Sequence, residues 1–148
     1  MEFRRANIDD INELINLRKQ QLLDEGDNAE QDIDKELEEY FSQYIANNTF
    51  ISWVATENNK IIATSGVCFY QLPPNYSNPS GKIAYITNMY TKKEFRRKGI
   101  ASKLLEKIID EVRSLNYRII RLHASSDGKN LYLKYGFSDY EGSMHLRI

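Results

Sequence analysis

The chain has 148 residues, 41% of them hydrophobic and 28% charged, with seven glycines and three prolines. That composition fits one soluble domain with a single core, and it excludes two domains of ordinary size or a low-complexity linker protein. The only cysteine, Cys68, excludes an intramolecular disulfide and a cysteine zinc site, and a net charge of −1 without a recognised motif disfavours nucleic acid as a partner.

A short strand around Phe3–Arg5 leads into Asn7-Ile8-Asp9-Asp10, whose polar side chains can cap a helix carrying Ile11, Leu14, Ile15 and Leu22. Ile33, Leu37, Tyr40, Phe41, Tyr44 and Ile45 recur near helical spacing, which predicts a second amphipathic helix from about Asp32 to Asn47. At Thr49 the period changes. Phe50–Ala55 and Ile61–Tyr70, separated by Asn58-Asn59-Lys60, read as an antiparallel hairpin. All three prolines fall in Pro73–Gly81, a loop that is either a plain connector or a substrate-side segment.

A strand over Ile83–Thr91 then enters a basic segment, Arg96-Arg97-Lys98-Gly99-Ile100-Ala101. The helix beyond it is marked by Ile100, Leu104, Leu105, Ile108, Ile109, Val112 and Leu115. Arg118–Ala124 reads as a strand, Lys129–Tyr135 as a short helix ending at Gly136, and Phe137–Ile148 as one or two closing strands. Strand, basic turn, helix and strand make a βαβ-like unit with two parallel neighbours, so the whole sheet is expected to be mixed.

The basic segment lies where a helix begins, so unpartnered backbone N–H groups and the positive end of the macrodipole coincide with three cations. It lacks the Gly-Lys-Ser/Thr loop that wraps a nucleoside triphosphate and the three glycines of a dinucleotide fingerprint, so a diphosphate held by a few residues is the better fit. Downstream, Leu131-Tyr132-Leu133-Lys134-Tyr135-Gly136-Phe137 places an aromatic-bearing short helix before a Gly-Phe pair.

With both blocks in order, the chain resembles the Gcn5-related N-acetyltransferase superfamily. Its acetyl-CoA signature, Arg/Gln-x-x-Gly-x-Gly/Ala between the fourth strand and the third helix, matches Arg96–Ala101, and its second block matches Leu131–Phe137. The resemblance implies an α/β (α+β) fold in one domain over residues 1–148: a mixed, twisted sheet of six to seven strands flanked by helices, in the order β-α-α-β-β-β-α-β-α-β. It implies direct transfer of an acetyl group from acetyl-CoA to an amine, either a small molecule or a peptide or protein, without a covalent enzyme intermediate. A non-catalytic acyl-CoA-binding regulatory module is the alternative, and a nucleotide-phosphate binder a further one.

By the same resemblance, main-chain groups of Met89, Tyr90 and Thr91 hold the pantetheine arm. Arg96, Arg97, Lys98, Gly99, Ile100, Ala101 and Ser102 surround the pyrophosphate, and the N–H of Met89 or Tyr90 faces the thioester oxygen. Tyr132 takes the general-acid position, with an ordinary phenol pKa of about 10 against about 8.5 for a thiol. Tyr135 reads as packing. Thr87 stands where a carboxylate base is expected, and His123 is the titratable substitute, acting through water. Ser125 replaces an asparagine that contacts CoA in many relatives.

His145 has no companion at metal-ligand spacing, so no metal is expected. Nine carboxylates and one lysine lie between Asp24 and Glu39, whereas Lys92–Arg121 holds ten cations and four acids. The acidic pole, with Asp32, Glu36 and Glu39 on one helix face, suggests a cationic amine acceptor. The sequence contains neither a long apolar span nor an apolar leader after Met1-Glu2-Phe3-Arg4-Arg5, so no membrane association and a cytoplasmic location are expected. A homodimer through the terminal strands is left open.

Overall fold

The structure, a computed structural model, describes every residue except Glu141. Its first turn is written by local chemistry. Asn7 Oδ1 accepts the Asp9 N–H at 2.8 Å while Asp10 accepts the Asn7 N–H at 2.8 Å, a reciprocal cap that starts the 3-10 turn Ile8–Asp10. Arg4, in β1 (Glu2–Arg5), grips the same Asp10 carboxylate through two bonds of 2.8 and 2.9 Å and holds it below the usual carboxyl range. The chain continues through α1 (Ile11–Asp24) and α2 (Asp34–Ala46).

Three long strands follow, β2 (Phe50–Glu57), β3 (Lys60–Gln71) and β4 (Lys82–Thr91). A 3-10 turn at Lys93–Phe95 precedes α3 (Ile100–Ser114), β5 (Ile120–Leu122) and α4 (Lys129–Lys134). The five strands lie side by side in sequence order. The first four are antiparallel and β5 is parallel to β4, as a βαβ crossover requires. The result is the expected mixed sheet with helices on both faces.

Alternation along β2 divides the core. Phe50 and Val54 pack with Leu14, Leu17, Phe41 and Ile45 of α1 and α2, whereas Ile51 and Ala55 face the α3 side. On that side α3 buries Ile100, Leu104, Leu105, Ile108 and Val112. Five such side chains, at roughly 1.5–3 kcal/mol each, outweigh the ~1 kcal/mol a side-chain cap contributes. The helix therefore holds its place with an uncapped N-terminus.

β4 carries an extra residue. Thr64 pairs with Tyr90 and Gly66 with Thr87, so the single Ser65 of β3 opposes both Asn88 and Met89. Asn88 takes a left-handed φ of 57°, which asparagine tolerates better than most residues. This bulge reverses the facing of the strand. Ala84 and Ile86 point to the α3 side before it; after it Met89 does so, and Tyr90 turns to α1.

The expectation of six to seven strands needs correction. Among the described residues the sheet has five, the Arg118–Ala124 strand shortens to Ile120–Leu122, and no strand forms in Phe137–Ile148, Glu141 lying outside them. The element order accordingly lacks its last β. Met144, Leu146 and Ile148 alternate as a strand would, but their exposures of 94%, 84% and 113% show that nothing packs on them. Alternation expresses a preference for a half-buried surface, and here no such surface is met.

Candidate active site

The ladder between β4 and β5 ends at the pair Ile86 and Leu122, although β4 continues to Thr91. Beyond that pair the chain leaves β5 through His123 and closes a tight turn in which Ser125 Oγ accepts the Gly128 N–H at 3.2 Å. The strand end and this turn leave a gap between them. It holds two cavities that share Met89, Ser125 and Tyr132.

The smaller cavity, about 90 Å³, is bounded by Thr64, Tyr90, Thr91, Ala101, Gly128 and Leu131 together with the shared three. It runs from β4 to the start of α3. There Arg97 and Gly99 both adopt left-handed φ, 61° and 76°, and Gly99 is the N-cap with no side-chain cap bond. The first intrahelical bond is made by the Lys103 N–H to Gly99 O at 3.2 Å, so the N–H groups of Ile100, Ala101 and Ser102 have no intrahelical acceptor. A Cβ built on Gly99 meets nothing within 4 Å, so this end of the helix faces open space. An anion of diphosphate size fits such a bare, cationic helix start.

Arg96 is engaged differently from its two neighbours. Its Nε donates to Thr91 O at 2.8 Å, its Nη2 reaches Asp24 Oδ2 at 3.3 Å, and the guanidinium lies 5.4 Å from the Tyr90 ring centroid. The Tyr90 hydroxyl donates to the same Asp24 oxygen at 3.1 Å, and burial, with this bond, raises its pKa. Arg96 thus fastens the end of α1 to the end of β4. Arg97 and Lys98 remain exposed just before the start of α3.

The larger cavity, about 180 Å³, lies between α1, the middle of β4 and the residues after β5. Thr87, Asn88 and His123 line it with the three shared residues. Tyr132 is 8% exposed and packs edge-on to Phe137 at 5.7 Å. Its hydroxyl has no protein partner among the described residues, and burial, with a smaller effect from the Glu25 charge, pushes its pKa up to about 12. Tyr135 instead donates to Glu106 at 2.6 Å, away from both cavities.

The sequence reading did not single out three further lining residues, Arg18, Gln21 and Glu25 of α1 and its C-terminus. Their spacing of three and four residues on one helix face is the signal in the sequence, obscured because Glu25 also lies in the acidic run Asp24–Glu39. Asp32, Glu36 and Glu39 line neither cavity, and neither does the proline loop. Asp32 caps the Asp34 N–H at 2.9 Å, and Asn75 ties the loop to itself through Ser77 and Asn78. Among the described residues no three His, Cys, Asp or Glu side chains come together as a metal site, and no helix is long and apolar enough to cross a membrane.

No curated protein sequence matches the chain significantly. Among solved structures, it is similar to a predicted acetyltransferase from Clostridium acetobutylicum crystallised with acetyl-CoA. Identity is 44%, the match covers 99% of this chain and 95% of that one, and the TM-score is 0.95. It is also similar to a GCN5-related N-acetyltransferase from Ralstonia eutropha JMP134, at 26% identity over 98% and 97% of the two chains with a TM-score of 0.90. A model of the acetyltransferase (GNAT) family matches residues 11–137, a span that holds the β4 bulge, the bare start of α3 and Tyr132. By that match and these structures, the chain belongs to the acetyltransferase (GNAT) family.

Proposed function

We propose that the two cavities are the donor and acceptor halves of one acetyl-transfer site, joined at Met89, Ser125 and Tyr132. The chain is an acetyl-CoA-dependent N-acetyltransferase. The observation that carries the assignment of halves is the gap opened by the β4 bulge. It runs from the basic start of α3, which carries no side-chain cap bond, to a phenol with no protein partner among the described residues. When bound, acetyl-CoA supplies the activated acyl group that the amine attacks.

Each role falls to a placed group. Main-chain groups of Met89, Tyr90 and Thr91 hold the pantetheine arm along the unpaired edge of β4. The N–H groups of Ile100, Ala101 and Ser102, with the Arg97 and Lys98 charges and the turn at Gly99, hold the pyrophosphate. Arg96 contributes by fixing the loop and α1. A β4 N–H at Met89 or Tyr90 stabilises negative charge growing on the thioester oxygen. Ser125, with its oxygen already accepting from Gly128, has its hydroxyl hydrogen left to donate toward the donor half.

Tyr132 donates to the departing sulfur. Its pKa of about 12 lies above the ~8.5 of a thiol, so complete transfer from the resting phenol is uphill by about 5 kcal/mol. The hydroxyl therefore serves first as a hydrogen-bond donor to the thiolate. His123 takes a proton from the amine through water, which answers the absence of an acid on β4. A cationic amine meets the Glu25 carboxylate in the larger cavity, in place of the α2 acids that the sequence suggested.

The lone, half-buried Cys68 suits a reducing cytoplasm. A homodimer through the terminal segments would cover the exposed Met144, Leu146 and Ile148. A panel of amines assayed with acetyl-CoA, following release of free thiol, tests the assignment. Turnover of an amine is expected. Acetyl-CoA binding with no thiol release from any amine would replace the enzyme by a regulatory binding module.

A further inference from the structure

The larger cavity contains both signs of charge, and a buried amide keeps them apart. Arg18 Nη1 donates to Gln21 Oε1 at 3.2 Å, and Gln21 Nε2 donates to Glu25 Oε1 at 3.1 Å. Gln21 is 7% exposed, so this bridge is fixed within the protein. Seven residues separate Arg18 from Glu25, or about 10 Å along the helix axis, and they form no direct ion pair.

Arg18 differs from the cations around it. Lys19 pairs with Asp34, Arg4 with Asp10 and Arg96 with Asp24, whereas half-buried Arg18 has no carboxylate within 4.0 Å among the described residues. Four of its five N–H donors are left without a protein acceptor there. Arg18 and Tyr85 line the same wall of the cavity. A partly desolvated guanidinium facing a cavity is an anion receptor.

We propose that the acceptor is a small amine that also carries an anionic group, carboxylate or phosphate, with the anion on Arg18 and the ammonium on Glu25. This rests on the acetyl-transfer reading of the site and specifies its substrate class. Because Arg18 and Glu25 are linked through a single amide side chain, an acceptor that meets both needs only a few bonds between amine and anion. A polyamine would place a second cation against Arg18. A protein lysine would satisfy Glu25 and leave Arg18 unmet, at the desolvation cost of an unpaired charge. An amino acid or a short aminoalkyl phosphate meets both.

The test compares matched acceptors. Free α-amino acids and 2-aminoethylphosphonate are set against amino-acid carboxamides and spermidine, with kcat/KM read from thiol release. The wild type is expected to favour an anionic amine at least tenfold, and the carboxylate and phosphonate arms identify which anion. Arg18→Gln is expected to reduce that preference roughly ten- to a hundredfold, as for loss of a charged hydrogen bond. Arg18→Lys should restore part of it, and the remote Arg113→Gln should leave it intact. Preference for carboxamides or spermidine, or a preference that survives Arg18→Gln, overturns the proposal even where acetyl transfer is confirmed. Calorimetry on the CoA-saturated protein reads the same preference without chemistry. Anionic amines that bind there without any thiol release would support the receptor and refute the transferase.

Discussion

Replacing Tyr132 by Phe removes one oxygen from the junction of the two cavities and leaves the ring on Phe137. The hydroxyl has no protein partner among the described residues, so its loss strands no donor or acceptor, and a change in stability within about 0.5 kcal/mol is expected. Catalysis should respond much more. General acids contribute roughly 10²–10⁴-fold, but a phenol near 12 is a poor match for a thiolate near ~8.5, so the upper part of that range is out of reach. A hydrogen bond to a charged sulfur is worth about 1.5–3 kcal/mol, which sets the loss in kcat at roughly ten- to a hundredfold. Thiol release under saturating acetyl-CoA measures it, with KM for acetyl-CoA expected within about threefold of wild type. The pH profile adds a second readout. The phenol is needed protonated and ionises only near 12, so Tyr132 produces no falling limb in kcat/KM between pH 7 and 10. A kcat within threefold of wild type refutes the role, whereas a falling limb near pH 9 that Tyr132→Phe abolishes refutes the raised phenol pKa and keeps the role.

Three other outcomes follow from the same geometry. Gly99→Ala places a Cβ in open space but at a φ of 76°, so it should cost about 1 kcal/mol of backbone strain, or ~2–4 °C in Tm, and weaken acetyl-CoA binding in calorimetry. If His123 accepts the amine proton, His123→Ala should flatten the rising limb of the kcat profile; an unaltered profile would remove it from the mechanism. Asp10 is held below the usual carboxyl range, first by its bonds to Arg4. Its contribution to stability is therefore complete above the unfolded value of ~3.9 and is lost as pH falls through the depressed folded value. Asp10→Asn should consequently cost about 2 kcal/mol in urea melts at pH 7 and progressively less in acid; an equal cost at pH 7 and pH 2 would refute the linkage.

Much of the fold was legible along the chain because the signals are local. Asn7 and Asp10 cap a turn with atoms within three residues of one another, and the spacing of Ile100, Leu104, Leu105, Ile108 and Val112 specifies a helix face wherever it lies. The basic helix start is local too. Its N–H groups are bare because of where the helix begins and because Gly99 offers no side chain, both of which are written in consecutive residues. The Leu131–Phe137 block likewise brought Tyr132 into view before any distance was known.

The tertiary structure decided what these parts face. In the run Ile83–Thr91 only the asparagine itself hints at the extra residue at Asn88, because a bulge exists only relative to the partner strand that lacks it. Yet that residue turns Tyr90 toward α1, just past Ile86, where the ladder to β5 ends. The final segment illustrates the same dependence: Met144, Leu146 and Ile148 have a strand's alternation, and without a paired neighbour they stay in solvent. Charge was the least legible property. Arg96 reads as a phosphate ligand from its neighbours, and the fold also brings it to Asp24, 72 residues away. Glu25 reads as one acid among nine, and the fold carries it into a cavity with Arg18. The sequence by itself determined the helices, the longer strands and the bare basic start of α3, since these depend on neighbours along the chain. Only the fold decided which charges share a cavity, because Coulomb energy depends on distances that the packing of α1 against β4 sets.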